Sequence, residues 1–61
     1  MSQKPPADAQ PLFQITKTLE DQGYTLTEIE YEDNKWKVEG YSQEGEEVEF
    51  AVDPVTGEIE D

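Results

Sequence analysis

The sequence has 61 residues, no cysteine, histidine or arginine, and a net charge of −12 that comes from 16 acidic residues and 4 lysines. Thiolate and imidazole catalysis, Cys/His zinc sites and disulfides are therefore excluded, and a chain of this length forms one small domain. Its charge is repelled by nucleic acid and by anionic membranes, and no apolar stretch reaches the roughly 18 residues of a membrane helix, so we expect neither as a partner.

Residues 1–10 contain two prolines and show no apolar periodicity, which predicts a disordered lead ahead of a single domain over residues 11–61. The lead lacks the apolar core of a signal peptide. This fits a cytosolic protein, and it equally fits an exported protein whose signal peptide has been removed.

Residues 11–22 have the pattern of an amphipathic helix that starts with a proline, a residue suited to the first helical position. Leu12, Ile15 and Leu19 follow the helical repeat and form one apolar stripe. Gly23 comes directly after this segment, where helices commonly end. Because about twelve residues are too few for a stable isolated helix, we expect the stripe to pack on another element.

The next segment predicts a β-hairpin with a two-residue turn at Asp33-Asn34. In this register the apolar pairs are Tyr31 with Trp36 and Ile29 with Val38. Because side chains alternate between the faces of a strand, all four lie on one face and the charged residues between them lie on the other.

A second turn, Gln43-Glu44-Gly45, continues the hairpin into a third strand. Its pairs are Gly40 with Val48, Val38 with Phe50, and Trp36 with Val52. The two turns are independent of each other, and both put Trp36 and Val38 on the same face.

A closing loop contains four residues of types that favour turns, Asp53, Pro54, Thr56 and Gly57. After this loop Ile59 can return as a short edge strand with its side chain inward. The predicted fold class is therefore α+β, with one N-terminal helix packed on a three- to four-stranded antiparallel meander. The predicted core is Leu12, Ile15, Leu19, Ile29, Tyr31, Trp36, Val38, Val48, Phe50, Val52 and Ile59.

These segments, in this order, resemble the PepSY domain, the family of peptidase propeptide and YpeB-type domains. The resemblance is carried by Gly23-Tyr24 after the helix, Glu28-Ile29-Glu30, Trp36-Lys37-Val38-Glu39, Gly45 before Val48-Glu49-Phe50, and the closing Val52-Asp53-Pro54-Val55-Thr56-Gly57-Glu58-Ile59. The closing segment is the most specific of these, and the resemblance covers about residues 11–60. It implies a small stand-alone bacterial protein of the periplasm, the cell envelope or the exterior, with a role in binding and restraining peptidases. It brings no catalytic residue.

The many carboxylates do not form a recognisable reaction centre. They alternate along predicted strands, where two of them cannot face each other across a cleft as glycosidase chemistry requires. The acidic turn over residues 44–47 and the closing loop both lack the ligand spacing of a calcium loop. We therefore assign no catalytic residue, no cofactor and no metal ligand.

One surface is a candidate for contact with a partner. Tyr41 faces the solvated side by alternation and shares that side with Lys35, Lys37 and Glu39. Together with the family resemblance, this predicts a non-catalytic exported binding module, monomeric or weakly dimeric, that restrains a peptidase or contacts another envelope protein. The alternative is a small acidic envelope protein that binds cations or associates with itself and has no peptidase partner.

Overall fold

A computed structural model of the chain describes residues 4–60 and contains one helix and four strands. The helix α1 spans Leu12–Asp21, and the strands are β1 (Thr25–Glu32), β2 (Lys35–Tyr41), β3 (Glu47–Val52) and β4 (Ile59–Glu60). The strands form one antiparallel sheet in the order β1-β2-β3-β4. The predicted α+β class is confirmed, with four strands in the sheet.

The helix begins after Pro11, whose carbonyl accepts the N–H groups of Gln14 at 3.0 Å and Ile15 at 3.3 Å. Its bounds are one residue shorter at each end than the predicted residues 11–22. Ile15 and Leu19 are each 1% exposed, but Leu12 is 40% exposed. The assignment of Leu12 to the core was wrong, because this residue lies in the first turn, at the rim of the contact between helix and sheet, where solvent reaches it.

Both predicted hairpin registers are confirmed. The β1–β2 turn has positive φ at Asp33 (56°) and Asn34 (66°), as a two-residue type I′ turn requires. The β2–β3 turn places Gly45 at φ 88° and is closed by the Ser42 N–H, which donates to the Glu46 carbonyl at 2.8 Å. The resulting pairs include Tyr31 with Trp36, Ile29 with Val38, Val38 with Phe50, and Trp36 with Val52.

A β-bulge at Thr27 is a feature that strict alternation did not predict. The register between β1 and β2 shifts between Leu26 and Glu28, and the Thr27 hydroxyl donates to the Glu39 carbonyl at 3.2 Å. Without the bulge, Leu26 would lie on the same face of the sheet as Glu28. The extra residue turns Leu26 towards the core, and its side chain packs against the core residues. Opposite Leu26 the strands come so close that a Cβ on Gly40 would lie 2.1 Å from the Thr25 carbonyl oxygen.

The core lies between the helix and one face of the sheet. Its fully buried members are Ile15, Leu19, Val38 and Val52, and the half-buried side chains packed against them are Tyr24, Leu26, Ile29, Trp36 and Phe50. Two aromatic pairs extend it, Tyr24 with Phe50 and Tyr31 with Trp36, each with ring centroids 5.2 Å apart. Val48 and Tyr31 are half-buried.

Ile59 is 40% exposed, so its assignment to the core was also wrong. It pairs with fully buried Val52, but β4 has only two residues and lies at the edge of the sheet. A residue on such an edge has a neighbouring strand on one side only, and solvent reaches it from the other.

The predicted boundary after residue 10 falls inside a bonded contact. The Gln10 N–H donates to the Pro54 carbonyl at 2.8 Å, and its side-chain amide donates to the Val55 carbonyl at 3.1 Å. The end of the lead is thus attached to the closing loop. Residues 1–3 of the predicted lead, and Asp61 at the end of the predicted domain, lie outside the described residues.

We expect Leu19→Ala to lower the free energy of unfolding by about 2–5 kcal/mol, because it leaves a cavity beneath the helix. The matched control is Phe13→Ala on the same helix, which removes a side chain that is 69% exposed and should change stability by less than about 0.5 kcal/mol. Urea unfolding followed by circular dichroism measures both. If Leu19→Ala is already unfolded in water, Ile15→Val, at about 0.5–1.5 kcal/mol, keeps the loss measurable. Equal effects of the two alanine variants would contradict the described helix orientation.

Gly40→Ala should destabilise the fold by about 1–3 kcal/mol, because the new methyl group overlaps the backbone of β1 rather than a flexible side chain. The same unfolding experiment measures this loss. Unchanged stability would mean that β1 can withdraw from Gly40 without cost and that the bulge does not fix the approach of the two strands.

Candidate functional site

The face of the sheet that points away from the helix carries most of the charged side chains of the strands. We call it the outer face, and its residues alternate with the core residues along each strand. It comprises Glu28, Glu30, Glu32, Lys35, Lys37, Glu39, Tyr41, Glu47, Glu49, Ala51 and Glu60. The four residues predicted as an interaction surface, Lys35, Lys37, Glu39 and Tyr41, all lie on it, in consecutive alternate positions of β2.

The two lysines occupy one end of the outer face, where they are already engaged. The Lys35 Nζ lies 3.3 Å from Glu60 Oε1 and so connects β2 with β4 across the intervening strand. The Lys37 Nζ lies 3.7 Å from Glu32 Oε1 and 3.8 Å from Asp33 Oδ2. These groups are partly exposed, and such ion pairs contribute little to stability. Their effect is to offset part of the negative charge at this end of the face.

The opposite end of the outer face is acidic without such balance. Glu28 lies directly opposite Glu39, and Glu39 lies directly opposite Glu49, so three carboxylates cross β1, β2 and β3 in one line. We call these three residues the acidic row. Within residues 4–60, no lysine lies within 4.0 Å of their carboxylates. Like charges directly opposite each other on a sheet are destabilising, so this row has an electrostatic cost.

The pKa of Glu39 shows that cost. It is raised above the ordinary value for a glutamate, chiefly by the negative charge of Glu28, and further by desolvation and by the charges of Glu49, Glu47 and Glu30. The centre of the acidic row is therefore a point of concentrated negative potential. A cationic group placed there would be attracted more strongly than one at the end occupied by the lysines.

The four predicted surface residues thus divide into two groups. Lys35 and Lys37 belong to the end with ion pairs, and Glu39 belongs to the acidic row. Tyr41, which is 43% exposed, follows Glu39 on β2 and lies opposite Glu47. The sequence prediction did not single out the partners of Glu39. Extending both confirmed registers by one pair beyond Val38 would have identified Glu28 and Glu49.

The closing loop has a structural role. The Asp53 carboxylate accepts the backbone N–H groups of Val55 at 2.8 Å and Thr56 at 3.0 Å, and these bonds, Thr56 first, lower the pKa of Asp53. The Thr56 hydroxyl accepts the Glu58 N–H at 3.2 Å, and the Gly57 N–H donates to the Asp53 carbonyl at 2.8 Å. These residues turn the chain back so that β4 can pair with β3.

The carboxylates of the outer face are accessible to a binding partner. The carboxylates stand on an open strand surface rather than around an enclosed pocket. Within the part of the chain that the structure describes, no group of three or more acidic side chains is placed to hold a metal ion. No helix in residues 4–60 is long and apolar enough to cross a bilayer.

Comparison with known proteins identifies one family. The profile of PepSY_2, described as peptidase propeptide and YPEB domain, matches residues 1–61. Searches of curated proteins and of solved structures give no significant match. The family match therefore includes the lead as well as the helix and the sheet.

We expect Glu39→Gln to raise the melting temperature at pH 7 and to have a smaller effect near pH 4. Because the pKa of Glu39 is raised in the folded state, protonation of Glu39 favours folding. This contribution to stability is present below the ordinary pKa of a glutamate, and it is lost as the pH rises through the pKa of Glu39. The substitution removes the charge at every pH, so its benefit appears where the carboxylate would be ionised.

The matched control is Glu20→Gln, which removes a carboxylate from the exposed surface of the helix. Thermal unfolding at both pH values compares the variants. If Glu20→Gln raises the melting temperature as much as Glu39→Gln does, the gain comes from reduced net charge and not from the acidic row.

Proposed function

The chain belongs to the PepSY_2 family, peptidase propeptide and YPEB domain, and we propose that it acts as a non-catalytic binding module that restrains a peptidase. The observation that carries the proposal is the family match over the whole chain. The exposed outer face supports it, because the helix packs on the other face and leaves the acidic row open to a partner.

Binding is favoured over catalysis by the chemistry of the available side chains. The chain has no cysteine or histidine to act as a nucleophile or as a base near neutral pH. Most of its carboxylates are exposed to solvent, whereas a general acid needs an apolar environment that raises its pKa towards neutrality. The one raised glutamate pKa has neighbouring carboxylates as its main cause.

We place this activity outside the cytoplasm of a bacterium. PepSY domains occur in exported proteins, and the propeptides that give the family its name are parts of peptidases. A domain that restrains a peptidase has to be in the same compartment as the enzyme. Contact with another envelope protein through the same face is the broader form of this proposal.

A cation-binding role is the second candidate, and the acidic row is the observation that favours it. Calcium binding needs six to eight oxygen ligands arranged around one point, and the row presents its carboxylates in a line along one surface. Calcium titration with thermal unfolding distinguishes the two candidates. A steep rise in melting temperature at sub-millimolar calcium would support the cation-binding role, because a ligand selective for the folded state stabilises it.

The binding proposal predicts that the purified chain slows at least one peptidase from the envelope or culture medium of its own organism. Peptidase fractions are assayed on an unstructured protein substrate at increasing concentrations of the chain, and complexes are separated by size-exclusion chromatography. We expect saturable inhibition and co-elution with the inhibited enzyme.

The control is Leu19→Ala, which has the same charge as the native chain and a weakened core. At a temperature where circular dichroism shows the variant unfolded and the native chain folded, it should inhibit less, because the outer face exists only in the folded state. Inhibition by the variant equal to that by the native chain would indicate substrate competition or a polyanion effect. No inhibition by either chain, with the native protein found in the cytosol on fractionation, would refute the proposal.

A further inference from the structure

The outer edge of β3 is only partly covered. β4 pairs with Ala51 and Val52, and the Asp53 N–H donates to the Glu58 carbonyl at 2.9 Å on this side. Because backbone groups alternate in direction along a strand, Ala51, Glu49 and Glu47 point their N–H and C=O groups to the same side as Asp53. Among the described residues no strand lies beside Glu47–Phe50 on this side. Within residues 4–60, the backbone groups of Glu47 and Glu49 on this side therefore have no strand to pair with.

The side chains along this open edge alternate in character. Glu47 and Glu49 lie on the outer face, and Glu49 is one end of the acidic row. Val48 and Phe50 lie on the helix side and are half-buried, with the Phe50 ring 5.2 Å from that of Tyr24. A strand added here would have every second residue opposite a glutamate and the residues between them beside apolar surface.

We propose that the open edge of β3 binds an extended segment of the partner in which lysine or arginine alternates with apolar residues. The segment pairs antiparallel to β3, in line with β4, so that its basic residues lie opposite Glu47 and Glu49. The inference rests on the proposed binding function and names the chemistry of the partner segment. Main-chain hydrogen bonds supply attachment, and the alternating side chains supply selectivity.

The long basic side chains reach beyond the edge itself. A lysine opposite Glu49 has its Cβ about 5 Å from that of the glutamate, and its flexible stem can extend over the outer face towards Glu39. The cation then lies over the acidic row between Glu49 and Glu39, in the negative potential that raises the pKa of Glu39. The row and the open edge therefore favour the same segment.

The other edge and a second copy of the chain fit less well. The β1 edge contains the bulge at Thr27, which interrupts a regular ladder, and Lys37 already balances Glu32 near its end. Antiparallel pairing of β3 with β3 of a second copy would put glutamates opposite glutamates, which is unfavourable. A basic segment avoids this repulsion.

The experiment titrates the full chain, labelled with nitrogen-15, with a short end-blocked peptide of alternating lysine and valine. We expect saturable shifts and slowed hydrogen exchange of the Glu47 and Glu49 amides, with binding that weakens as salt is added. Two control peptides have the same length: one alternates glutamate with valine, and the other groups the lysines and the valines into blocks. Neither should bind comparably.

N-methylated peptides test the backbone pairing directly. In the antiparallel arrangement the residues opposite Glu47 and Glu49 are lysines, and their N–H groups point at β3. Methylation of the lysine amides should therefore abolish binding, and methylation of the valine amides should leave it. Equal binding of the two methylated peptides would mean that the lysines contact the outer face by charge alone, and the edge proposal would be overturned.

Charge reversal on the protein is the third test. We expect the double variant E47K/E49K to bind the lysine–valine peptide about tenfold or more weakly, and to gain affinity for the glutamate–valine peptide. The control E20K/E44K makes the same change in net charge at the helix and the β2–β3 turn, and it should retain binding. Loss of affinity in both variants alike would show that only net charge matters and would refute the proposal.

Two outcomes separate this inference from the proposed function. If a peptidase is restrained but the peptide does not bind, the edge inference fails and the binding function stands. If the peptide binds but no peptidase or envelope partner is found, the proposed function fails and the edge remains a binding site. A dimer that forms with rising concentration, and that is changed by E47K/E49K, would assign the edge to a second copy and overturn the inference.

Discussion

The register of the two hairpins is the constraint on which the rest of the structure depends. A slip of one residue in either hairpin would exchange the two faces of a strand and put carboxylates beneath the helix. The turns prevent this slip, with positive φ at Asp33 and Asn34 in the first and at Gly45 in the second. Because β2 belongs to both hairpins, its alternation is set twice, and Val38 lies at the centre of the core with 0% exposure.

Charge is distributed unevenly over the outer face. Lys35 and Lys37 lie together at one end, where carboxylates balance them, while the acidic row is left without a cation among the described residues. A lysine in place of Glu39 would remove two repulsions and create two attractions across the strands. Because these carboxylates are exposed, solvent screens much of the repulsion, and its cost to stability is small. The acidic row does not favour folding, but its negative charge would favour the binding of a cationic partner.

The helix and both hairpins were predictable because each depends on local signals: a 3.6-residue repeat, a two-residue turn and a glycine turn. The features that were missed depend on contacts between distant segments. The bulge at Thr27 appears only when Gly40 allows β1 to approach closely. The attachment of Gln10 depends on a carbonyl of the closing loop, far along the chain.

Leu12 and Ile59 follow the correct periodicities, but periodicity predicts only the direction of a side chain. It does not predict how far the neighbouring element extends over that side chain. The acidic row could have been predicted by extending the registers, whereas its effect on the pKa of Glu39 required the structure.

The glutamates on the edge strands have two effects that come from the same charges. They discourage two copies of the domain from pairing edge to edge, as charged residues on edges commonly do. They also make the open edge of β3 selective, because the backbone alone would accept almost any extended chain. Val48 and Phe50 supply apolar contact on the helix side. Without the glutamates, these two residues would allow many different extended chains to pair with the edge. Glu47 and Glu49 on the outer face admit only segments that bring positive charge at every second residue. A small domain can in this way distinguish one partner segment from another.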